Sequence, residues 1–330
     1  MHYKPLGRTG VRVSELCFGT MSFGNEADEQ GSAAMYKRCR DLGINFFDCA
    51  DAYSKGRAEE ILGKLIKGER DELVITSKCF NQMGNDVNSA GGSRRWVSRA
   101  VEASLKRLGT DRLDVLFMHR WEPLAPLEEV LRGLEDLVRA GKVLYLGASN
   151  YAAWQIAKGL GISERRGWSR FDVIQPMYNL VKRQVEVEIL PLAEAEGLGV
   201  ITYSPLGGGL LTGKYGPGKR PNVGRVVERQ EYQLRYGEDW MIETVGAFTT
   251  LAAKMKVHPV SLAVAWVKAH PAVTAPIVGA RSVEQLEPAL KALDIAMTPK
   301  LRDEITALSR TPPPATDRLE EQIRAKAQAK

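Results

Sequence analysis

Four ionisable side chains stand at the ends of consecutive apolar segments of this sequence. Asp48 ends the segment FFD and is soon followed by Tyr53. Lys78 ends LVITSK, and His119 ends DVLFMH. If these segments are neighbouring strands of a parallel barrel, an acid, a phenol, an amine and an imidazole meet at one mouth. Each residue alone has an ordinary structural explanation, but four in succession indicate a catalytic site.

These residue types suit the protonation of an oxygen atom. A tyrosine acting as a general acid at neutral pH needs a nearby cation, because its free pKa is about 10. Lys78 can supply that charge to Tyr53, and Asp48 can pair with the lysine in an apolar mouth. His119 can donate a hydrogen bond to a substrate carbonyl oxygen. No activated nucleophile is evident, so the missing reactant is predicted to be a cofactor hydride.

Polar residues at the later segment ends are suited to hold such a cofactor. The amides and hydroxyls can bind a carboxamide, a tyrosine ring can stack, and glycine amides can bind phosphate. Arg281 and Ser282 can grip a phosphate where a helix begins. The set comprises Ser149, Asn150, Gln175, Tyr203, Ser204, Pro205, Leu206, Gly207, Gly208, Gly209, Gly279, Arg281 and Ser282.

Eight apolar segments alternate with amphipathic ones along the chain. They are 14–20, 45–50, 73–78, 114–119, 143–149, 172–179, 199–205 and 275–280. Segments that are apolar at nearly every position are typical of parallel strands buried on both faces. The alternation predicts an α/β fold, a (β/α)8 TIM barrel. An open doubly wound sheet would require a GxGxxG turn after the first strand, and none is present.

We expect one barrel domain over residues 1–330. The opening LGRTGVRVSE resembles a hairpin that closes the barrel floor. Two long connections, 79–94 and 207–239, are predicted to be loops at the C-terminal face, where binding loops lie. Residues 311–330 are predicted to form a surface tail in which Asp317 caps a short polar helix.

The composition argues against several classes of protein. A hydrophobic content of 44% in 330 residues allows a large core. The net charge of +6 comes from basic residues dispersed among acids, so nucleic acid is not an expected partner. No long uncharged apolar window predicts a membrane segment. The four cysteines form no paired motif, which favours reduced thiols in the cytoplasm, and no metal site is expected.

Several motifs together carry a family resemblance. The segment FFDCADAYSKGRAEEILG contains an Asp-x-Ala-x-x-Tyr pattern, and VITSK, LDVLFMHR and YSPLGGGLLTGKY follow in order. With these motifs the chain resembles the aldo-keto reductases, particularly the longer bacterial type related to potassium-channel β-subunits, over nearly its whole length. The resemblance implies a catalytic tetrad of Asp48, Tyr53, Lys78 and His119, with Tyr53 as the acid.

The resemblance also implies NADPH as the cofactor, with NADH as an alternative. Beyond the residues named above, the contacts it implies include Thr20, Met21, Asp48, Lys214, Arg225, Ala280 and Gln285. The sequence departs from the family where Glu287-Pro288-Ala289 replaces the usual Glu-Glu-Asn, whose second glutamate and asparagine contact the adenine. The preference for NADPH over NADH is therefore less well defined than the tetrad.

Aromatic residues just past the strand ends are predicted to line the substrate pocket. They are Phe23, Phe80, Trp121 and Tyr151, together with Tyr53 and His119. Arg120 is expected to point to the opposite side of its strand end. Such a rim would suit an apolar or ring-bearing aldehyde or ketone and would bind a phosphorylated triose poorly. The alternative is that these rings only pack the loops.

Two other functions are weighed against an NADP-dependent oxidoreductase that reduces an aldehyde or ketone. Lys78 could form a Schiff base in an aldolase, but an aldolase has no use for the carboxamide set. A slow, cofactor-binding regulatory subunit is the second alternative, since the channel relatives suggest it. The channel branch often lacks the histidine, so His119 favours a working reductase. The sequence also allows a homo-oligomer and does not name the substrate.

Overall fold

The computed structural model describes residues 1–316, 318 and 320. Within these residues the strands are β1 Tyr3–Pro5, β2 Arg12–Ser14, β3 Cys17–Gly19, β4 Phe46–Asp48, β5 Val74–Cys79, β6 Leu113–Met118, β7 Val143–Ser149, β8 Phe171–Gln175, β9 Gly199–Thr202 and β10 Ala275–Val278. Strands β3 to β10 pair in parallel, and β10 also pairs with β3, which closes the barrel. Strands β1 and β2 form an antiparallel hairpin.

Helices follow the barrel strands and cover the outside of the sheet. They are α1 Glu29–Asp41, α2 Arg57–Leu65, α3 Arg94–Leu108, α4 Leu127–Arg139, α5 Ala153–Arg166, α6 Ile189–Glu196, α7 Arg225–Glu228, α8 Gln230–Tyr236, α9 Asp239–Lys254, α10 Pro259–Lys268, α11 Val283–Leu290 and α12 Pro299–Thr306. Short 3-10 turns lie at Tyr53–Gly56, Arg70–Glu72, Gln184–Glu186, Gly207–Thr212 and Lys291–Asp294. Several α-helices begin with a side chain that accepts from a backbone amide of the first turn, as Ser93 does for α3.

The barrel interior is filled by apolar side chains, and this explains the continuous apolar segments. Phe46, Val115, Phe117 and Val173 pack inside it with Leu6 of the hairpin. The outward-facing strand residues belong to the larger core beneath the helices. Because each strand is buried on both faces, alternation of apolar and polar residues would leave unpartnered polar groups in the core.

The hairpin closes the barrel at the N-terminal ends of the strands. Gly7, with φ 57°, lies against the backbone of residues 197–199, and a Cβ there would come within 2.4 Å of Gly199 N. A side chain at position 7 would therefore push the hairpin off the floor. The close approach and the positive φ together require glycine.

The predicted (β/α)8 barrel with an N-terminal hairpin is confirmed. Five of the predicted strands are shorter than expected, and two of these, β8 and β9, end ahead of Pro176 and Pro205, where proline lacks a backbone donor. Segment 207–239 was predicted as a loop, yet it contains a 3-10 turn and helices α7 and α8. The predicted cap Asp317 and its helix lie largely outside the described residues. No helix in the described part of the chain has the length and apolar character needed to cross a membrane.

Candidate active site

A cavity of about 1020 Å³ opens at the C-terminal ends of the barrel strands. Three lining residues, Asp48, Ser149 and Gln175, are the last residues of β4, β7 and β8. The register places Ser149 opposite Gln175 and Asp48 opposite Thr76. Parallel pairing therefore brings residues that are distant in sequence to one mouth.

The predicted tetrad is assembled around the lysine. Lys78 Nζ donates to Asp48 Oδ2 at 2.6 Å and to the Cys49 carbonyl oxygen at 2.7 Å, and it lies 3.1 Å from Tyr53 Oη. Asp48 Oδ1 accepts from Thr76 Oγ1 at 2.8 Å and from Gln175 Nε2 at 2.9 Å. Every oxygen of the buried carboxylate thus has a donor, which holds the lysine in place beside the phenol.

Burial and charge act in opposite directions on this pair. Burial acts to lower the pKa of Lys78, but Asp48 and Tyr53 together outweigh it and leave that pKa above its usual value. Burial raises the pKa of Tyr53 to about 12, although the charge of Lys78 acts to lower it. The tyrosine is therefore protonated and the lysine charged across the neutral pH range. This is the starting state that a proton donor with a neighbouring cation requires.

His119 faces Tyr53 across the cavity mouth. Their ring centroids are 6.2 Å apart with the planes nearly perpendicular. The Asn81 side chain contacts the ring, with Nδ2 3.1 Å from His119 Nδ1. Burial, followed by the charges of Lys78 and Arg120, lowers the pKa of His119 to about 3. The imidazole is neutral at pH 7 and can donate one hydrogen bond from its protonated nitrogen.

Most residues predicted to contact a cofactor line the same cavity. The lining includes Met21, Asp48, Ser149, Asn150, Gln175, Tyr203, Ser204, Pro205, Leu206, Gly208, Lys214, Arg225, Gly279, Ala280, Arg281 and Gln285. Three predicted residues, Thr20, Gly207 and Ser282, are not among the lining residues. Thr20 is fully buried and donates to the Asp48 carbonyl oxygen, Gly207 is buried, and Ser282 caps α11 by accepting from Gln285 N.

The residues proposed for carboxamide binding form one hydrogen-bonded network. Ser149 Oγ donates to the Gln175 carbonyl oxygen at 3.0 Å, and Asn150 Nδ2 donates to Ser149 Oγ at 3.1 Å. Asn150 has a φ of 58° and accepts from Tyr203 Oη at 2.6 Å. Asparagine tolerates this left-handed conformation better than most residues, so its side chain can be held across the strand ends.

The phosphate-binding role predicted for the glycine amides needs correction. The amides of Gly207 and Gly209 donate to the carbonyl oxygens of Ser204 and Leu206, and the amide of Gly208 donates to Ser204 Oγ. These donors are used within the turn, because three successive positive φ values fold it tightly on itself.

Cationic side chains lie on the same side of the cavity as this turn. Lys214, Arg225 and Arg281 line the cavity there. Glu26 from the loop after β3 contacts Arg281 at 3.1 Å and Arg225 at 3.4 Å. This carboxylate occupies the position of an anion between two guanidinium groups, so the donor set fits a phosphate-bearing cofactor.

The predicted aromatic rim is only partly present. Phe23 is fully buried and packs on Phe18 in the core, so its side chain cannot line the pocket. Tyr151 is also buried and stacks edge-on with Trp121. Phe80 lies beneath the Arg120 guanidinium. Tyr53 and His119 do line the cavity, whereas these four rings are absent from its described lining.

The sequence reasoning missed several lining residues. Arg120 was expected to point away, yet it lines the cavity and donates to Asn81 Oδ1 at 2.9 Å. Strand alternation was the wrong guide, because β6 ends at Met118. Tyr232 and Arg235 on α8 also line the cavity. Their only signal was the length of the 207–239 connection.

The chain is similar to a known protein family and to several named proteins over most of its length. Residues 15–310 match the model of the Aldo/keto reductase family. A protein named "Probable voltage-gated potassium channel subunit beta" from Oryza sativa subsp. japonica is 37% identical, with 96% of this chain and 99% of the relative covered. "Uncharacterized oxidoreductase YrpG" from Bacillus subtilis is also 37% identical, with 90% and 92% covered. "Versiconal hemiacetal acetate reductase" from Aspergillus parasiticus is 32% identical, with 91% and 94% covered. The resemblance inferred from the motifs is confirmed.

Proposed function

The chain belongs to the aldo/keto reductase family, and on that premise we propose that it reduces an aldehyde or ketone to an alcohol with NADPH. The observation that carries the proposal is the contact of Lys78 Nζ with both Asp48 Oδ2 and Tyr53 Oη, at 2.6 and 3.1 Å. A phenol that only packs against its neighbours needs no buried ammonium group beside it. A phenol that gives up a proton does.

The cofactor is proposed to lie along the cavity from the tetrad to the cations. Gln175, Ser149 and Asn150 are suited to its carboxamide, and the Tyr203 ring to stacking. Arg281 and Arg225 are suited to its phosphates, with Glu26 standing in for the anion. When bound, a nicotinamide cofactor supplies the hydride that reduces the carbonyl carbon.

The proposed proton comes from Tyr53. As negative charge develops on the substrate oxygen, Tyr53 Oη transfers its proton, and Lys78 stabilises the phenolate that forms. His119 is neutral and donates a hydrogen bond to the same oxygen, which orients the carbonyl towards the phenol. Asp48 holds Lys78 in place while the proton is transferred and the phenolate forms. It keeps its hydrogen bonds from Thr76 and Gln175 throughout.

The preference for NADPH rests on the cation side of the cavity. Arg281 precedes α11, whose first turn contains Gln285, and both line the cavity. Glu287 is engaged by Arg38 of α1, while Pro288 and Ala289 line the cavity. At the two positions where the family's usual glutamate and asparagine contact the adenine, this chain therefore offers apolar surface, while Glu284 and Gln285 supply polar groups nearby. NADH remains the alternative cofactor.

We propose a small carbonyl compound as the substrate and the cytoplasm as the location. Two of the predicted pocket residues, Tyr53 and His119, line the cavity, together with the apolar side chain of Val223. All four cysteines are buried and free, which fits a reducing compartment. We keep an apolar or ring-bearing aldehyde or ketone as the proposed class on the Tyr53 ring alone, because the four loop rings lie outside the lining and Arg120 adds a cation at that end.

A cofactor-binding regulatory subunit is the second candidate. The names of the rice relative and of an Arabidopsis thaliana relative, 37% identical over 95% of this chain, favour it. The complete tetrad favours turnover instead. An aldolase that uses Lys78 is disfavoured, because an ammonium group with a fully buried, ion-paired side chain is not a nucleophile.

The test is a turnover assay with the purified chain. Consumption of NADPH and of NADH is followed with an aromatic aldehyde, a bulky cyclic ketone and glyceraldehyde 3-phosphate under one set of conditions. Turnover of the first two, faster with NADPH, supports the proposal. Tight cofactor binding without turnover of any carbonyl would instead favour the regulatory subunit, and a clear preference for the phosphorylated triose would overturn the substrate class.

A further inference from the structure

A chain of hydrogen bonds runs from a cationic side chain at the mouth to the active-site imidazole. Arg120 Nη2 donates to Asn81 Oδ1 at 2.9 Å, and Asn81 Nδ2 lies 3.1 Å from His119 Nδ1. The Arg120 guanidinium also rests on the Phe80 ring, 4.9 Å from its centroid. The three polar residues and this ring belong to the ends of β5 and β6, which pair directly.

The donor and acceptor types leave one consistent arrangement. A guanidinium can only donate, so the atom of Asn81 that faces it must be the carbonyl oxygen. The amide nitrogen is then turned towards His119, and it too can only donate. His119 Nδ1 must therefore accept, which means that it carries no proton. In a neutral imidazole the proton is then on Nε2.

We propose that Arg120 and Asn81 are positioning residues that set the tautomer of His119, so that Nε2–H is the donor offered to the substrate oxygen. This inference rests on the proposed carbonyl reduction. It adds a condition that the tetrad alone does not meet, because an imidazole with its proton on Nδ1 would present a bare nitrogen to the carbonyl. The lone pair of Nε2 and a lone pair of the carbonyl oxygen would then repel each other, and the hydrogen bond would be lost.

The surroundings of His119 leave this task to Asn81. Lys78 on β5 and Arg120 are the charged groups that act on the ring, and both disfavour a second proton. The ring of Tyr53 lies edge-on to it, and Asn150 Nδ2 donates at 2.9 Å to the histidine carbonyl oxygen, not to the ring. Among the described residues, Asn81 is the only one with a hydrogen bond to a ring nitrogen of His119.

The first test reads the tautomer without any turnover. Long-range ¹H–¹⁵N spectra of the histidine-labelled chain are recorded at neutral pH, and the His119 signals are assigned by loss in His119→Gln. A proton on Nε2 in the wild type supports the proposal, and a proton on Nδ1 overturns it. Because the spectrum needs no substrate, a chain with the expected tautomer but no reductase activity would refute the proposed function and the role of Nε2–H towards a substrate oxygen, while the control of the tautomer by Asn81 would stand.

The second test moves the proton. In Asn81→Asp a carboxylate faces Nδ1, so the neutral ring should carry its proton on Nδ1 and the pKa of His119 should rise. Nε2 then bears a proton only when the ring is charged. We expect kcat for carbonyl reduction to fall as pH rises through that new pKa, by about 100-fold at high pH, the order expected for loss of one oxyanion donor. In the wild type, kcat should show no such fall with rising pH.

Matched variants separate positioning from charge and from folding. Asn85→Asp adds the same charge at an exposed position of the same loop and should keep the wild-type pH profile. Arg120→Met adds no carboxylate, frees the Asn81 amide to rotate, and should give a mixture of tautomers with about a tenfold loss in kcat, while Arg120→Lys should restore part of it. A wild-type tautomer and pH profile in both Asn81→Asp and Arg120→Met would overturn the proposal.

Discussion

The two sides of the cavity hold their charged groups in different ways. On the side formed by β4, β5 and β6, Lys78 is 1% exposed and its ammonium has three protein partners. On the side formed by the segments after β9 and β10, the Arg281 side chain is 43% exposed and has one carboxylate partner, Glu26. The tetrad is a dry site that folding completes, whereas the cation side is a wet site in which a half-exposed arginine meets the mostly buried carboxylate of Glu26.

This difference predicts where a substitution has a large effect on stability or activity. A buried charge that loses its partner keeps the full penalty of desolvation, because no water can replace the lost contact. A half-exposed arginine that loses its partner is solvated again at little cost. We therefore expect the largest effects on the dry side and smaller, ligand-dependent effects on the wet side.

The largest expected effect comes from Tyr53→Phe. The variant keeps the ring but removes the transferable proton, so kcat for carbonyl reduction should fall by about 10²–10⁴-fold while cofactor binding is retained. Steady-state kinetics and a cofactor titration measure the two quantities. Tyr151→Phe, which removes the hydroxyl of another buried tyrosine, is the matched control and should keep its activity. Retention of more than a few per cent of kcat in Tyr53→Phe would refute the assignment of the acid.

Lys78→Met should damage both activity and folding. The substitution leaves Asp48 as a buried carboxylate without its cation, and breaking such a pair costs about 3–5 kcal/mol of unfolding free energy. Chemical denaturation of the single variant and of the double variant Asp48→Asn, Lys78→Met measures this cost. The double variant should recover part of the stability but none of the activity. Equal stability of the single variant and the wild type would contradict a dry site.

Asp51 makes the stability of the dry side depend on pH. Its carboxylate is fully buried, and burial, reinforced by Glu59, raises its pKa to about 7, although the Ala52 backbone amide acts to lower it. Between the ordinary carboxyl range and pH 7 the folded state binds the extra proton. The unfolding free energy of the wild type should therefore decrease as pH rises through this window, by up to about 1.4 kcal/mol per pH unit.

Asp51→Asn should remove this dependence. Urea unfolding of the variant and the wild type from pH 5 to pH 8 measures the difference in unfolding free energy. That difference should shift in favour of the variant as pH rises. Asp303→Asn, at an exposed position of α12, should show no such trend. Parallel curves for the wild type and Asp51→Asn would contradict the raised pKa.

The smallest expected effect is that of Arg281→Ala on cofactor binding. A charge-assisted hydrogen bond contributes about 1.5–3 kcal/mol, and exposure places Arg281 at the lower end, which corresponds to about a tenfold loss in NADPH affinity. NADH affinity should change little. Glu26→Gln, which removes the carboxylate partner of Arg281, should not lower the affinity for NADPH. Equal losses for both cofactors in Arg281→Ala would assign the arginine to a phosphate that they share.

Much of the fold and of the dry site was predictable from the sequence, and less of the wet site. Asp48, Lys78 and His119 could be placed together because they end consecutive parallel strands, and strand ends lie at one edge by geometry. The pairing of Arg281 with Glu26 could not, because it joins two loops whose paths no local periodicity encodes. The same holds for Tyr232 and Arg235, which a helix within a long connection carries to the cavity.

The sequence by itself determined the order of strands and helices and the set of chemical groups at the barrel mouth, because periodicity and strand ends are local properties of the chain. Only the tertiary structure decided which way side chains point once a strand has ended. Phe23 turns into the core and Arg120 turns to the cavity, since beyond the last paired residue the direction is set by packing and by hydrogen bonds to other segments. For Arg120 the deciding partner is Asn81, which lies at the end of a different strand.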